Sequence, residues 1–337
     1  MSLEDNTAVD LYDIVLLLNY ERATTDPRFR HAKLREVTKT DFTTFLVLRE
    51  RLPVWFLRSN KIGWAFDTKT PPASRRDEPD LPSNMVLIPT PDLLRSLTPK
   101  ELETYFWQVR CHDGCFTAIC LVQEFFDLFP KTTRLQVRLV QNNKPKVFDV
   151  LADNRVILEF ELVDPNLLTL SIVAPGGMSH IGGGQDSMPH SVLGFRSEQE
   201  GDAHDQTPDF DAILDMSSLQ FGDAGRGFRG KGLFVLEPEK DYAARLKTFA
   251  KGNDFVDAQL SLRIRNPLTD QKAWLQDVAV RAKARWERRH ENPFCGYCGA
   301  PKASKRCALC KSTYYCDEAH QSGAWSFHKH FCKPTTQ

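Results

Sequence analysis

The order of apolar and polar residues along the chain predicts a mixture of helices and strands. Thr98 to Glu101 form a capping box with proline at the first helical position, which predicts a helix running to about Val109. A second helix is predicted at 115–129, where a proline ends it. Its apolar stripe contains Ile119, Val122 and Phe126.

Alternation with a period of two follows these helices and predicts a sheet. Leu135, Val137 and Leu139 alternate with polar residues, as in a strand with one buried face. Further strands are predicted at 156–163, 167–174, 190–195 and 212–216. Because the helices and strands do not alternate regularly, the expected fold class is an α+β body.

A further helix is predicted at about 270–292, with one apolar stripe and a basic C-terminal half. The stripe contains Trp274, Leu275, Val278 and Ala282. The basic residues are Arg281, Lys283, Arg285, Arg288 and Arg289. Positive charge suits the negative end of a helix dipole, so a solvated helix face is the preferred interpretation. A nucleic-acid surface is the alternative, and it is disfavoured because Trp286 is the single interleaved aromatic residue.

Composition limits the class of protein. At 337 residues with 41% hydrophobic content, the chain has room for two or three domains with a real core. No apolar run approaches the ~20 residues that span a bilayer, so a protein without a membrane segment is expected. No secretory signal segment is visible at the N-terminus, which favours the cytoplasm or the nucleus, where thiols stay reduced.

The formal net charge of zero conceals an uneven distribution. From Arg281 onward there are 11 basic and 4 acidic residues, which leaves 33 basic and 40 acidic residues in the preceding part. The tail is therefore positive and the rest negative, and six thiolates with two zinc ions would bring the tail to about +5. This field suits acidic partners without requiring nucleic acid.

Six of the nine cysteines lie in the last 43 residues, together with suitably spaced histidines. The eight candidate ligands are Cys295, Cys298, Cys307, Cys310, Cys316, His320, His328 and Cys332. Each C-x2-C pair can close a knuckle on one Zn²⁺, and eight nitrogen and sulfur ligands fill two structural sites with no open position. Disulfides or free thiols are the alternative, and a reducing compartment disfavours the disulfides.

This array resembles the MYND-type zinc finger and the fungal proteins that carry it. The resemblance rests on the ligand spacing and on Tyr314, Tyr315, Gln321 and Trp325. It implies one zinc ion on Cys295, Cys298, Cys316 and His320. It implies a second zinc ion on Cys307, Cys310, His328 and Cys332. The family usually has cysteine at the position of His320, and neutral imidazole is an ordinary zinc ligand that preserves the site.

His330 lies two residues after His328 and would face another side of a helix, so it is interpreted as a residue that does not bind zinc, with ligand exchange left open.

The MYND resemblance implies a protein partner, in the family often a short proline-containing peptide, bound at the positions of Gln321 and Trp325. A buried structural role for Trp325 is the alternative. The chain lacks the Asn-His-x-Cys signature of SET methyltransferases and the lysine of a phosphate-binding loop.

A weaker constellation consists of Cys115, His190 and Asp215. Cys115 follows a glycine and opens a helix, where the dipole favours the nucleophilic thiolate. With a histidine predicted at the start of one strand and an aspartate at the end of the next, the order resembles a transglutaminase-like, papain-related core over residues 98–238. Ordinary structural roles for all three residues are the alternative, and Cys115 is expected to be buried and unreactive.

These observations divide the chain into four segments. They are an N-terminal region at 1–97, an α+β domain at 98–252, a connecting segment at 253–292 and the finger at 293–334. The expected function is that of a zinc-binding regulatory or adaptor protein that docks a protein partner. The alternative is a cysteine hydrolase or acyltransferase that uses Cys115, His190 and Asp215 and is targeted by the finger.

Overall fold

The computed structural model describes residues 8–112, 114–176, 178–197, 210–257 and 269–334. Residues 198–209 of the predicted middle domain and residues 258–268 of the predicted connecting segment lie outside the described residues. The helices are α1 (Leu11–Thr24), α2 (Pro53–Leu57), α3 (Pro99–Cys111), α4 (Cys115–Phe126), α5 (Glu239–Phe249), α6 (Thr269–Glu287) and α7 (Glu318–His328). Shorter helical turns include Ser218–Gly225 and Gly227–Lys231.

Among the described residues, twelve strands form three sheets in the body, and two more form a hairpin in the finger. The first six are β1 (Val9–Asp10), β2 (Ala32–Thr38), β3 (Lys61–Thr68), β4 (Arg134–Gln141), β5 (Lys144–Leu151) and β6 (Val156–Pro165). The next six are β7 (Leu168–Ala174), β8 (Met178–Gly182), β9 (Ser187–Phe195), β10 (Ala212–Asp215), β11 (Val235–Glu237) and β12 (Ala250–Asp257). The finger contains β13 (Lys305–Arg306) and β14 (Tyr314–Tyr315).

The central sheet is antiparallel, with strand order β11-β10-β9-β6-β12. Helix α4 packs against β9, and the buried residues between them include Ile119, Val122 and Leu193. The predicted strand at 190–195 begins earlier than expected, so His190 lies inside β9 and does not open it. Since β10 pairs with β9 only from Leu193 to Phe195, Pro189 lies where β9 has lost that neighbour and its missing N–H is tolerated.

The two predicted helices before this sheet are present with small differences in length. Thr98 and Glu101 make both hydrogen bonds of the capping box at the start of α3. Helix α4 ends at Phe126, three residues before the predicted end. Leu128 and Phe129 continue with backbone bonds to residues three positions earlier, so the last turn tightens before the proline instead of extending the α-helix.

The first hundred residues fold into the same body as the residues that follow. Strand β3 pairs in parallel with β7, and β1 pairs in parallel with β4. Helix α1 is largely buried and contacts α6 as well as β4. Strands from the N-terminal region therefore complete two sheets of the body, while the division into four segments stays a prediction.

The basic half of α6 is partly directed at the body. Arg281 and Arg285 donate to the two carboxylate oxygens of Glu21 at 2.8 and 2.7 Å, and Glu21 is buried in α1. The prediction of a fully solvated basic face is therefore wrong for these two arginines. The sequence pattern could not reveal this, because the carboxylate lies more than 250 positions away along the chain.

The finger packs against the body through an aromatic stack and side-chain hydrogen bonds. Tyr12 of α1 stacks on Phe327 of α7 with ring centroids 4.3 Å apart and an interplanar angle of 7°. Tyr297 donates to Glu103 of α3 at 3.0 Å and accepts from Arg226 at 3.3 Å. These contacts make the finger part of the packed structure.

The predicted fold class is confirmed: an α+β body carries a C-terminal finger with two Cys/His clusters. Among the described helices, none combines the length and apolar character that crossing a membrane requires.

Candidate metal centre and buried thiol cluster

Two tight turns of the same form present the C-x2-C pairs of the finger. The N–H of Gly299 donates to the carbonyl of Cys295 at 2.9 Å, and the N–H of Lys311 donates to that of Cys307 at 3.0 Å. Both donors have left-handed backbone conformations, with φ of +77° at Gly299 and +54° at Lys311. Each turn therefore directs two sulfurs of a pair toward one side, as a zinc knuckle requires.

The remaining ligands come from the finger hairpin and from α7. Cys316 directly follows β14, and His320 and His328 lie on α7 eight residues apart. Asp317 caps this helix and accepts from the N–H of His320 at 2.8 Å. The cap begins the helix immediately after Cys316, so the thiol and the first histidine stay close to each other.

The donor atoms collect into two groups, and within each group all lie within 4.8 Å of one another. The first group consists of Cys295, Cys298, Cys316 and His320. The second consists of Cys307, Cys310, His328 and Cys332. These are the same two sets that the resemblance implied, and they alternate along the sequence in a cross-braced order.

The distances between donor atoms fit tetrahedral zinc. With zinc–sulfur bonds of about 2.3 Å and zinc–nitrogen bonds of about 2.0 Å, tetrahedral geometry separates two sulfurs by about 3.8 Å and a sulfur from a nitrogen by about 3.5 Å. The Sγ atoms of Cys298 and Cys316 are 3.8 Å apart, and Cys295 Sγ is 3.5 Å from His320 Nδ1. A disulfide would require about 2.0 Å, so the thiols of this group are not paired.

The second group repeats these distances. Cys307 Sγ and Cys332 Sγ are 3.8 Å apart, and Cys310 Sγ is 3.5 Å from His328 Nε2. None of the nine cysteines, all of which the structure describes, is in a disulfide. Each group therefore offers three sulfurs and one nitrogen in the arrangement that structural zinc prefers.

Residues 295–332 match the family model described as MYND finger. This segment is a MYND-type zinc finger. Its two Cys3His sites can each hold one zinc ion, and neither leaves a coordination position for a substrate. The match covers the finger alone, and no solved structure matches the chain.

The two histidine ligands of the MYND finger use different ring nitrogens. His320 presents Nδ1 to its cluster and His328 presents Nε2. The outer Nε2 of His320 lies 4.0 Å from a carboxylate oxygen of Glu103 in α3. Zinc-bound histidines commonly direct their second nitrogen toward a carboxylate, which orients the ring and increases its basicity. His330 belongs to neither group of donor atoms and lies beside the ring of Phe228.

Helix α7 of the MYND finger has an inner and an outer side. Ala324 and Phe327 are buried, whereas Trp325 is 42% exposed and Gln321, one turn earlier, is half-buried. Trp325 contacts the ring of His328 at 6.0 Å between centroids. An indole left this accessible on an ordered helix is available to a partner.

The body contains a second cluster, formed by residues of the weaker constellation. His190 Nε2 lies 2.8 Å from Asp215 Oδ2, and both side chains are fully buried. Cys115, at the start of α4, is 2% exposed, and its thiol is near enough to His190 to help raise the pKa of that imidazole. The thiol, the imidazole and the carboxylate therefore lie in one contiguous group beneath the surface.

Three residues support this pair, and two of them, Tyr242 and Gln220, escaped the sequence analysis. Tyr242 of α5 donates to Asp215 Oδ2 at 3.0 Å and lies 3.1 Å from His190 Nε2. The Gln220 amide lies 3.2 Å from His190 Nδ1, and the Ser217 N–H donates to Asp215 Oδ1 at 2.9 Å. The last bond stabilises a turn, which is an ordinary structural role of aspartate. Asp215 therefore uses Oδ1 in the turn and Oδ2 in the contact with His190.

The environment of His190 favours the imidazolium. Burial by itself would lower the pKa of His190, but the charge and hydrogen bond of Asp215 outweigh burial and raise it to about 10. Burial raises the pKa of Tyr242 well above its usual value, so the phenol stays a proton donor to Asp215. The cluster thus pairs a protonated histidine with a carboxylate, and the Cys115 sulfur adjoins that pair.

Other polar residues near Cys115 have structural partners. Gln108 gives its amide hydrogen to the carbonyl of Gln220 at 3.2 Å. Cys111 accepts from Arg22 at 3.4 Å, and burial raises the pKa of Cys120 to about 11. Within the described part of the chain, these cysteines form no metal-ligating group with His112.

Proposed function

We propose that this protein is a zinc-dependent adaptor that docks a partner protein on the outer side of helix α7. The observation that carries the proposal is the 42% exposure of Trp325 on a helix that also carries two zinc ligands and buries Phe327. Metal and core contacts fix the helix, so the indole can be buried against a partner at low entropic cost. The carboxamide of Gln321, one turn earlier, adds hydrogen bonding next to it.

The proposed partner segment is a short proline-containing peptide. A proline ring is apolar and packs on the face of an indole, and the restricted proline backbone loses little entropy on binding. We further propose a cytoplasmic or nuclear location, where reduced thiols remain available to zinc. Nucleic acid is not a proposed partner, because two arginines of α6 are already paired with Glu21. A membrane is not a proposed partner either.

A peptide-binding experiment tests the adaptor proposal. Zinc-loaded full-length protein is titrated into fluorescent proline-containing peptides and into matched peptides with alanine for proline. Trp325→Ala should weaken binding of the proline peptides at least about tenfold, as loss of an aromatic anchor does. Ile88→Ala, which removes a 95% exposed apolar side chain of the body, should leave binding unchanged. Equal affinity of wild type and Trp325→Ala would refute the docking site.

The contact between His190 and Asp215 favours a second candidate function, thiol-dependent acyl transfer within a transglutaminase-like core. In such a reaction a Cys115 thiolate, whose proton is held by His190, attacks a carbonyl carbon. A thioester forms as the amine or alcohol leaves with that proton, and water or another nucleophile then releases the acyl group. The burial of Cys115 argues against free access, so the adaptor function ranks first.

A further inference from the structure

Tyr297 lies in the first knuckle of the finger, between the zinc ligands Cys295 and Cys298. It is 8% exposed, and its ring centroid lies 4.9 Å from that of the ligand His320. Glycine at position 323 of α7 makes room for the ring, because a Cβ there would approach the ring to 2.7 Å. The first zinc site and α7 therefore fix the position of the Tyr297 hydroxyl.

The Tyr297 hydroxyl contacts a buried arginine of the body. It accepts from Arg226 at 3.3 Å and donates to Glu103 at 3.0 Å. Arg226 is 2% exposed and also donates to Glu103 at 3.1 Å. Its other bonds go to the Thr104 hydroxyl at 2.8 Å and to Asp223 at 2.9 Å. Because a guanidinium presents its donors in a rigid fork, Arg226 holds these partners in one geometry.

Arg226 directly follows the turn Ser218–Gly225, which covers part of His190. The Gln220 amide lies 3.2 Å from His190 Nδ1. The rings of Phe221 and His190 meet at 78° with their centroids 5.4 Å apart. His190 is fully buried, so this turn is part of the structure that keeps solvent from the imidazole.

The turn is not a continuous helix, because Gly222 inside it has φ of +65° and ψ of −141°. A broken helix makes fewer hydrogen bonds within itself than a regular one, so its order depends more on the segments that hold it. The turn packs on α3, where Gln108 donates to the Gln220 carbonyl at 3.2 Å. Arg226 holds its C-terminal end through the bond to Asp223.

We propose that zinc in the first site keeps this turn closed over His190, with Tyr297 and Arg226 as the positioning residues that join the two sites. Loss of zinc releases Tyr297 from the knuckle, Arg226 loses one of its partners, and the turn opens more often. This control of the body by zinc goes beyond the docking function of the finger and does not require Cys115 to react. The buried cluster thereby responds to the zinc state of the finger.

Amide hydrogen exchange of the full-length protein, read by mass spectrometry over the turn and over α4, tests the proposal. Tyr297→Phe retains the ring and all eight zinc ligands but removes both hydrogen bonds of the hydroxyl. In zinc-loaded protein it should speed exchange in the turn by about fivefold, as expected for the net loss of one hydrogen bond.

Tyr315→Phe is the matched control, because it removes a buried hydroxyl of the finger that has no hydrogen-bond partner among the described residues. Exchange in the turn should stay at the wild-type rate in this variant. Equal exchange in wild type and Tyr297→Phe would overturn the role of Tyr297.

Removal of zinc from the wild type with a chelator gives the second comparison. Exchange in the turn should rise at least about fivefold, while α4, which lies outside this series of contacts, should change less than about twofold. A rise in α4 as large as that in the turn would show that zinc supports the whole body and would overturn the selective link. An unchanged rate in the turn would overturn the control by zinc.

Discussion

His320 of the finger and Glu103 of the body lie close together, with Nε2 and Oε1 4.0 Å apart. His320 presents its other nitrogen to the first zinc site, and Glu103 also binds Tyr297 and Arg226. One carboxylate of the body thus contacts a zinc ligand of the finger as well as Tyr297 and Arg226. Because cysteine has no second donor, this link exists only with histidine at position 320.

The first prediction concerns this link. His320→Cys should retain both zinc ions, and His320→Ala should weaken the first site by removing one of four ligands. Glu103→Gln should speed zinc release from the first site in wild type by about three- to tenfold, less than the typical 10–100-fold because the contact is 4.0 Å long. Release is followed with a chromogenic chelator.

The double variant provides the control for the first prediction. In a His320→Cys background, Glu103→Gln should have little effect on the release rate from the first site. An equal acceleration in both backgrounds would show that Glu103 acts on the finger as a whole, through Tyr297 for example, and not through His320.

The second prediction concerns Gly299. Its φ is +77°, and a Cβ would lie 2.3 Å from the carbonyl oxygen of Leu16 in α1. Gly299→Ala should therefore lower the midpoint of thermal unfolding through both backbone strain and a clash with the body. Gly230 has φ of +68°, but a Cβ added there would have no described atom within 4 Å, so Gly230→Ala carries strain alone.

The two glycine variants are compared by calorimetry of zinc-loaded protein. Gly230→Ala should cost about 1–2 kcal/mol, and Gly299→Ala should cost about 1–3 kcal/mol more. Similar costs for the two variants would contradict the tight contact between the finger and α1.

The third prediction concerns the pH dependence of stability. His190 has its pKa raised from 6.5 to about 10, so its contribution to the free energy of unfolding is complete below pH 6.5 and is lost as pH rises toward 10. In Asp215→Asn the carboxylate that raises this pKa is absent. The stability advantage of wild type over Asp215→Asn should therefore shrink between pH 6.5 and about 9.

Urea unfolding of both zinc-loaded proteins across that range measures the effect. Zinc ligands and other titrating groups are common to the two proteins, so they cancel in the difference. Parallel stability curves across the same pH range would show that His190 is neutral in the folded protein.

The fourth prediction separates the adaptor from the thiol enzyme. Because Cys115 is 2% exposed, iodoacetamide should label it slowly near neutral pH, at a rate similar to that of buried Cys120. Labelling is followed residue by residue by mass spectrometry on zinc-loaded protein. Rapid labelling of Cys115 that disappears in His190→Ala would make acyl transfer the leading function.

Much of the finger could be predicted because its ligands are local and their spacing is governed by one metal geometry. C-x2-C pairs form knuckles, and the resemblance to MYND fingers implied how the eight ligands divide into two sites. Which nitrogen each histidine uses was not predictable, because it depends on ring orientation. The contact between His320 and Glu103 was not predictable either, since Glu103 lies more than 200 positions earlier in the sequence.

In the body, too, the features that depend on neighbouring residues could be predicted, whereas contacts between distant segments could not. The capping of α3 by Thr98 and the alternation of apolar and polar residues around Val137 could be predicted from the sequence, because both depend on neighbouring residues. The pairing of β3 with β7 and the approach of Tyr242 to Asp215 depend on contacts between distant segments. Hydrophobic periodicity carries no signal for such contacts, so these parts required the structure.

The most direct test of the central claim is the zinc content of the full-length protein, measured by elemental mass spectrometry together with the folding of the MYND finger. Two zinc ions per chain are expected, with loss of one ion in Cys298→Ala or Cys310→Ala, because each belongs to a different Cys3His group. Chelation should unfold the finger, since so short a segment cannot bury enough core without metal. One zinc ion or none in a wild-type finger that stays folded in chelator would contradict the account.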